Sequence, residues 1–225
     1  YKEAIVFEQY LSLTHYDIFF FLKAIGMTLW ITLVSITIGT LIGIVMGLIR
    51  CSKNKIISAI PLIYIEPLRN SPLVTQLFLT YYGLPVVANI VLDAQAAAII
   101  TLSLNTGAFF SVLVHSAVKA IPKLQWEAGF ALGHNRYSNF KSIIAPQVLR
   151  LLIPSAITLY INQLQVSSFV SLISLIDLTK AGHILTLRTM RPFLIYGIVF
   201  VLYFAISYPL SKLAQRLEKK VAFNY

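Results

Sequence analysis

Apolar residues run along this chain in long blocks rather than in strict alternation. A helix needs roughly 20 mostly apolar residues to cross about 30 Å of hydrocarbon. Five blocks reach that length, at about 19–49, 56–83, 94–118, 146–172 and 192–211. The first and last are plain, whereas the second and fourth are interrupted by prolines and polar side chains, which lipid cannot solvate. Between blocks three and four, residues 119–142 carry five charges and two glycines. That stretch is too long for a simple turn and too polar for lipid, so the pattern predicts an excursion containing a short helix. A second excursion is predicted over about 174–191.

Composition points the same way. Of 225 residues, 58% are apolar and 12% charged, with a mean hydropathy of +0.79. A soluble domain is nearer about 25% charged; this chain has too few charges to cover itself in water. A disordered chain, a collagen and a disulfide scaffold are excluded, and the single Cys51 cannot form an internal bridge. The net charge of +10 comes in short clusters between apolar blocks, not as the exposed basic face of a nucleic-acid binder.

Those clusters set an orientation. Eleven basic residues fall on one side: Arg50, Lys53, Lys55, Lys119, Lys123, Arg136, Lys141, Lys212, Arg216, Lys219 and Lys220. Four fall on the other: Lys2, Lys180, Arg188 and Arg191. The positive-inside rule makes the richer side cytoplasmic, with the N-terminus outside and the C-terminus inside, as an odd number of spans requires. The expected fold is an all-α integral membrane domain over 1–225, with five transmembrane helices and a cytoplasmic helix in the 119–142 loop. No internal repeat between halves is visible, which argues against a secondary transporter built from inverted repeats.

Catalytic constellations are absent from the sequence. His15, His115, His134 and His183 are scattered without Cys or carboxylate at ligand spacing, so no metal site is expected. No Gly-x-Ser-x-Gly elbow occurs, and Ser and Thr within the blocks are expected to bond their own helix backbone. Without a phosphate-binding loop the chain cannot hydrolyse a nucleotide in the usual way; if ATP drives it, another subunit holds the ATP and Mg, and this one needs no cofactor.

The 119–142 excursion reads Gln125-Trp126-Glu127-Ala128-Gly129-Phe130-Ala131-Leu132-Gly133, followed after nine residues by Ile143-Ile144-Ala145-Pro146. The small residues Ala128, Gly129, Ala131 and Gly133 let a helix approach another surface closely, Glu127 suits the positive end of the helix dipole, and Trp126, Phe130 and Leu132 are apolar anchors. A socket in a partner protein and a berth on lipid headgroups both fit this pattern. The spacing resembles the EAA loop of ABC importer permeases, Glu-Ala-Ala, three residues, Gly, nine residues, Ile-x-Leu-Pro, with Gly129 in place of the second Ala and Ala145 in place of Leu. That resemblance favours the socket and implies that Glu127, Ala128, Gly129, Ala131, Leu132, Gly133 and Pro146 couple to an ATPase.

The second block reads Tyr64-Ile65-Glu66-Pro67-Leu68-Arg69-Asn70-Ser71-Pro72-Leu73, then Tyr81-Tyr82-Gly83-Leu84-Pro85. It is similar to the Glu-x-x-Arg-Gly-Thr-Pro-Leu stretch and Tyr-Gly-Leu-Pro ending of permeases of the polar amino-acid uptake family, with Asn70-Ser71 where Gly-Thr is usual. Ala120-Ile121-Pro122-Lys123 and Leu178-Thr179-Lys180-Ala181-Gly182 extend the likeness over nearly the whole chain. It implies an importer in the bacterial inner membrane for a polar amino acid. Its parts would be two permease subunits of the same or different chains, ATPase subunits, and an extracytoplasmic amino-acid-binding protein.

Within that frame particular residues carry expectations. Counting about 1.5 Å per residue from position 56 puts Glu66 and Arg69 roughly 15 and 20 Å into the bilayer. A charge there marks a pathway unless it is paired, and a spacing of three allows them to form a structural ion pair. Pro67 and Pro72 each remove a backbone donor, which leaves carbonyls free in a broken helix. Substrate contacts are therefore expected at Arg69, Ser71 and Pro72. In block four Leu159, Asn162, Gln163 and Val166 share a helix face. Asn162 and Gln163 either hold helices together or meet substrate, with Val166 beside them. The family often has an acid at 159 and a Lys-Asp pair at 165–166, where this chain has Leu159, Gln165 and Val166. It also lacks the Glu and Arg common near His115 in block three. An alternative therefore stands beside the main reading, in which this subunit docks the ATPase within a heterodimer but does not bind substrate. A transporter or channel working without ATP is the reading from another class.

Overall fold

The computed structural model describes residues 13–222, with side chains through Lys219. Lys2 and the side chain of Lys220, both used in the charge asymmetry, lie outside the described residues. Helices account for every regular element among those residues. They are α1 (His15–Arg50), α2 (Lys55–Arg69), α3 (Leu73–Ala88), α4 (Ala94–Lys119), α5 (Lys123–Ala131), α6 (Arg136–Ile173), α7 (Leu178–Thr189) and α8 (Pro192–Ala222). Four of them, α1, α4, α6 and α8, are long and apolar enough to cross a membrane. The second expected span is two helices, α2 and α3, separated by Asn70–Pro72.

Local chemistry explains where the helices start. Asn54, Asp93, Asn135 and Asp177 each accept a backbone N–H in the first turn of α2, α4, α6 and α7, at 2.6–2.9 Å for the shortest bond of each. These caps satisfy donors that a helix start leaves unpaired. Inside the helices the buried Thr28, Thr32 and Thr101 donate to the carbonyl four residues earlier, at 2.7–3.0 Å, as expected for hydroxyls within apolar helices.

The bundle is organised around α1 and α4, which run parallel. Gly39, Gly43 and Gly47 of α1 face Thr106, Phe110 and Val114 of α4 in register. A Cβ at Gly43 would lie 2.6 Å from the Phe110 Cβ and 3.0 Å from the Gly107 carbonyl, so glycine is what lets the backbones meet here. Against this pair α6 runs antiparallel: Tyr160 bonds Thr40 at 2.6 Å and Ser167 accepts from Thr32 at 3.3 Å. Apolar side chains collect in three clusters. One joins Phe110, Val114 and Ile121 to Ile144, Val148 and Leu152. A second joins Ile31, Leu77, Ala98 and Leu102 to Val170 and Ile173. The third joins Phe21 and Ala24 to Leu178, Leu185, Ile195 and Val199.

The excursion after α6 is a helix with one face buried. Leu178, Ala181, Gly182 and Leu185 of α7 pack inward, and Arg188 near its end donates to both carboxylate oxygens of Asp17 at 2.8 and 2.6 Å. The Asp17 side chain is only 6% exposed, and the pair ties the start of α1 to α7.

Candidate functional site

The break in the second span sits beside the middle of α4. Pro72 cannot donate to the turn before it, and the chain bends at Asn70–Ser71. The carbonyls freed there do not stay open. Gln76, 8% exposed, donates from Nε2 to the Leu68 carbonyl at 2.7 Å, the Ser71 carbonyl at 3.1 Å and Ser71 Oγ at 3.0 Å. Its Oε1 accepts from Asn105 Nδ2 of α4 at 3.2 Å. Ser71 Oγ in turn donates to the Pro67 carbonyl at 2.7 Å. The expectation of carbonyls free to meet a ligand is thus corrected: a side chain four residues beyond Pro72 occupies them, because a polar backbone in this setting must be satisfied. Ser71 likewise has its hydroxyl engaged within the break.

Glu66 and Arg69 do not form the expected ion pair. The Glu66 carboxylate accepts from Asn70 Nδ2 at 2.8 Å, and the Arg69 guanidinium lies over the Phe109 ring of α4 at 5.6 Å. The spacing allowed pairing, but Asn70 at the next position reaches Glu66 and an exposed aromatic face receives Arg69. Among the described residues the salt bridge is instead Asp17–Arg188. Arg69, Asn70 and Pro72 are all exposed.

On α6 the two amides separate in role. Gln163 is buried and donates to the Leu102 carbonyl of α4 at 3.3 Å, so it holds helices together. Asn162 is exposed and Val166 half-buried. Further along, Gln165 and Ser168 line a recess of about 300 Å³ with Thr179, Tyr196, Val199, Phe200 and Tyr203. Thr179 and Tyr203 bond each other at 3.2 Å there, and Tyr203 donates to the buried Asp177 at 3.4 Å. The recess has no residue from α2 or α3 in its lining.

In the charged excursion α5 is a nine-residue helix, and its residues divide by face. Leu124, Glu127, Ala128, Ala131 and Leu132 are exposed, with Leu124 at 72% and Leu132 at 76%. Gly129 is buried and turns toward α6, where Asn139 donates to the Trp126 carbonyl at 2.8 Å and the Trp126 ring stacks on Phe140 at 6.3 Å. Gly133 ends the helix. Its φ is +82°, its N–H donates to the Phe130 carbonyl at 3.0 Å, and His134 N–H donates to the Gly129 carbonyl at 3.2 Å, a left-handed cap of the Schellman type. A Cβ at Gly133 would meet open space. Within this chain the glycine serves backbone conformation rather than close helix contact. Pro146 stands exposed in the first turn that follows the buried Ile144.

Residues 39–222 match the family described as the binding-protein-dependent transport system inner membrane component. The chain belongs to this family. The glutamine transport system permease protein GlnP of Escherichia coli K12 is 32% identical over 196 residues, covering 87% of this chain and 90% of that one. The probable amino-acid ABC transporter permease protein YckA of Bacillus subtilis 168 is 32% identical over 201 residues, covering 89% and 88%. A solved amino-acid ABC transporter with histidines superposes with a TM-score of 0.83 at 29% identity, over 93% of this chain and 99% of that one. The MetNI methionine transporter shares the fold alone, at a TM-score of 0.76 and 19% identity. As a member of the family the chain is a multi-pass permease subunit of an ABC importer, and ATP hydrolysis belongs to a separate subunit.

Several residues that shape this permease were not singled out from the sequence. Gln76 and Asn105 close the break in the second span. Glycines recurring every fourth residue at 39, 43 and 47 were a readable signal for close helix contact. Asp17 and Arg188, 171 positions apart, had no such signal. Cys51 and His115, also distant in sequence, come together with Sγ 3.6 Å from Nδ1 at the adjoining ends of α1 and α4.

Proposed function

We propose that this permease, paired with a second permease subunit in the bacterial inner membrane, forms the path for a neutral polar amino acid. The substrate arrives on an extracytoplasmic binding protein, and an ATPase docks on the exposed face of α5. The N-terminus is outside, and the basic ends of α1, α4 and α8 face the cytoplasm.

The observation that carries the substrate reading is Arg69. It is exposed beside the break, carries no ion pair among the described residues, and rests on Phe109, while Asn70 occupies the neighbouring Glu66. A guanidinium fork in that position suits the α-carboxylate of an amino acid. The wall supplied by Leu159, Asn162 and Val166 holds no acid to neutralise a cationic side chain, and a buried cation without a partner is costly. The relative named as a glutamine transport permease in Escherichia coli supports a neutral polar substrate. Gln163, engaged with Leu102, is left as a helix tie rather than a substrate contact.

Glu127, Ala128, Ala131 and Leu132 form the ATPase-facing surface in this reading, with Gly133 and Pro146 exposed beside it and Gly129 shaping it from behind. The alternative, a heterodimer half that docks the ATPase but lacks its own substrate site, keeps that surface and gives up the role of Arg69. Uptake by vesicles containing this chain as the only permease, with the ATPase and binding protein, separates the two. Glutamine uptake exceeding arginine uptake, and strongly reduced by Arg69→Ala, supports the substrate reading. Strong arginine uptake, or uptake indifferent to Arg69→Ala, overturns it.

A further inference from the structure

The docking helix α5 is held to the fourth span at several points, and the buried one is a single amide. Asn139 lies in the first turn of α6, fully buried, and its Nδ2 holds the Trp126 carbonyl at 2.8 Å. Its Oδ1 has no hydrogen-bond partner and rests against Gly129. A Cβ at Gly129 would press on that oxygen and lie 2.5 Å from Cγ and 2.7 Å from Nδ2, well inside contact distance. The amide cannot swing aside without giving up the Trp126 carbonyl, because the side chain is enclosed on all sides. An unpaired buried acceptor is a cost, so stability alone does not account for an Asn at this place.

The surroundings make this contact a joint. Trp126 stacks on Phe140, the residue after Asn139, and Gln147 Nε2 reaches Gln125 Oε1 at 3.4 Å about two turns later. Asn139 belongs to the same continuous helix, Arg136–Ile173, that crosses the membrane. The pose of α5 is therefore keyed to the fourth span without a flexible linker. The Ala that stands second in the resembled Glu-Ala-Ala pattern would place its methyl where the Asn139 amide sits.

We propose that Gly129 and Asn139 are a matched positioning pair: the glycine exists to seat the Asn139 amide, and the seated amide fixes the angle at which α5 passes ATPase movement to the fourth span. This rests on the docking role of α5 proposed above. Gly129 contacts this chain, not the ATPase.

The test uses the complete importer in lipid vesicles and reads substrate molecules moved per ATP hydrolysed. Gly129→Ala lowers that ratio about fivefold or more, and adding Asn139→Ser, which clears the methyl, restores it to within about twofold, as expected for directly coupled sites. If Gly129→Ala prevents assembly, the same rescue is read on the yield of intact complex. An unchanged ratio in Gly129→Ala overturns the proposal, and so does failure of Asn139→Ser to rescue. A separate arm tests the reading beneath it: Ala128→Cys in an otherwise unaltered chain cross-links to a cysteine in the ATPase groove. Absence of that cross-link overturns the docking role and the positioning pair with it, whereas a cross-link without rescue overturns the pair alone.

Discussion

Replacing Gln76 with Leu tests whether the break in the second span is held shut from within. Leu is similar in volume, so packing against the buried neighbours is nearly kept. What disappears is the donor to the Leu68 carbonyl at 2.7 Å and to Ser71 Oγ and carbonyl at 3.0 and 3.1 Å, and the acceptor for Asn105 at 3.2 Å. One amide nitrogen cannot serve three acceptors fully, so the loss is counted as two bonds within the break and one to α4. Hydrogen bonds inside membrane proteins are worth roughly 0.6–1.7 kcal/mol each, so the loss is about 2–5 kcal/mol. At about 1.4 kcal/mol per tenfold, that loosens the closed break by a factor of about 30 or more.

Two measurements follow from that figure. Purified permease complex carrying Gln76→Leu melts at lower temperature, and its uptake shows a raised KM because Arg69 is no longer held beside Phe109. Asn105→Leu removes the bond from α4 to Gln76 and a longer one to the Leu68 carbonyl at 3.5 Å, and costs about 1–2 kcal/mol; the double variant loses less than the sum of the two, since the shared bond is counted once. Melting and KM unchanged in Gln76→Leu, or strictly additive effects with Asn105→Leu, refute the clasp.

Three further outcomes are expected. Arg188→Met strands the nearly buried carboxylate of Asp17 and costs about 3 kcal/mol, seen as a lower melting temperature that Arg188→Lys partly restores; an unshifted melt contradicts the tie between α1 and α7. Gly133→Ala strains the left-handed cap at φ +82° and costs about 1 kcal/mol, while Gly133→Asn, which tolerates that conformation, keeps ATPase assembly near normal; equal effects of both contradict the capping role. Burial pushes the Cys51 thiol above its ordinary range despite nearby Lys119 and Arg50, so the reactive thiolate is scarce at neutral pH. Labelling by an impermeant maleimide then occurs from the cytoplasmic side only, and its rate rises about tenfold per pH unit below that pKa; fast labelling from outside overturns the orientation.

Reading the sequence located the elements better than it located their partners. Block length alone marks α1, α4, α6 and α8, and Pro72 announces that the second block cannot be one helix, whereas Pro67, expected to break it too, sits inside α2 without interrupting it. Which group would satisfy the freed carbonyls was out of reach, because Gln76 looks like any polar residue until the chain folds back on Leu68. A spacing of three made Glu66 and Arg69 candidates for each other, but spacing does not rank competitors, and Asn70 and Phe109 take one each. The spaced pattern from Glu127 to Pro146 is legible residue by residue. The three-dimensional roles inside it are not: Gly129 and Gly133 look alike in sequence, yet one seats Asn139 and the other sets a helix-ending φ.

The central claim is an ATP-driven import path. Vesicles should hold this permease with its ATPase, carry enclosed ATP, and receive radiolabelled glutamine with the binding protein from the extracytoplasmic side. Accumulation that requires enclosed ATP, the ATPase and the binding protein together, and that stops when ATP is replaced by a non-hydrolysable analogue, is the result expected. Accumulation at the same rate without ATP or without the ATPase would contradict the account.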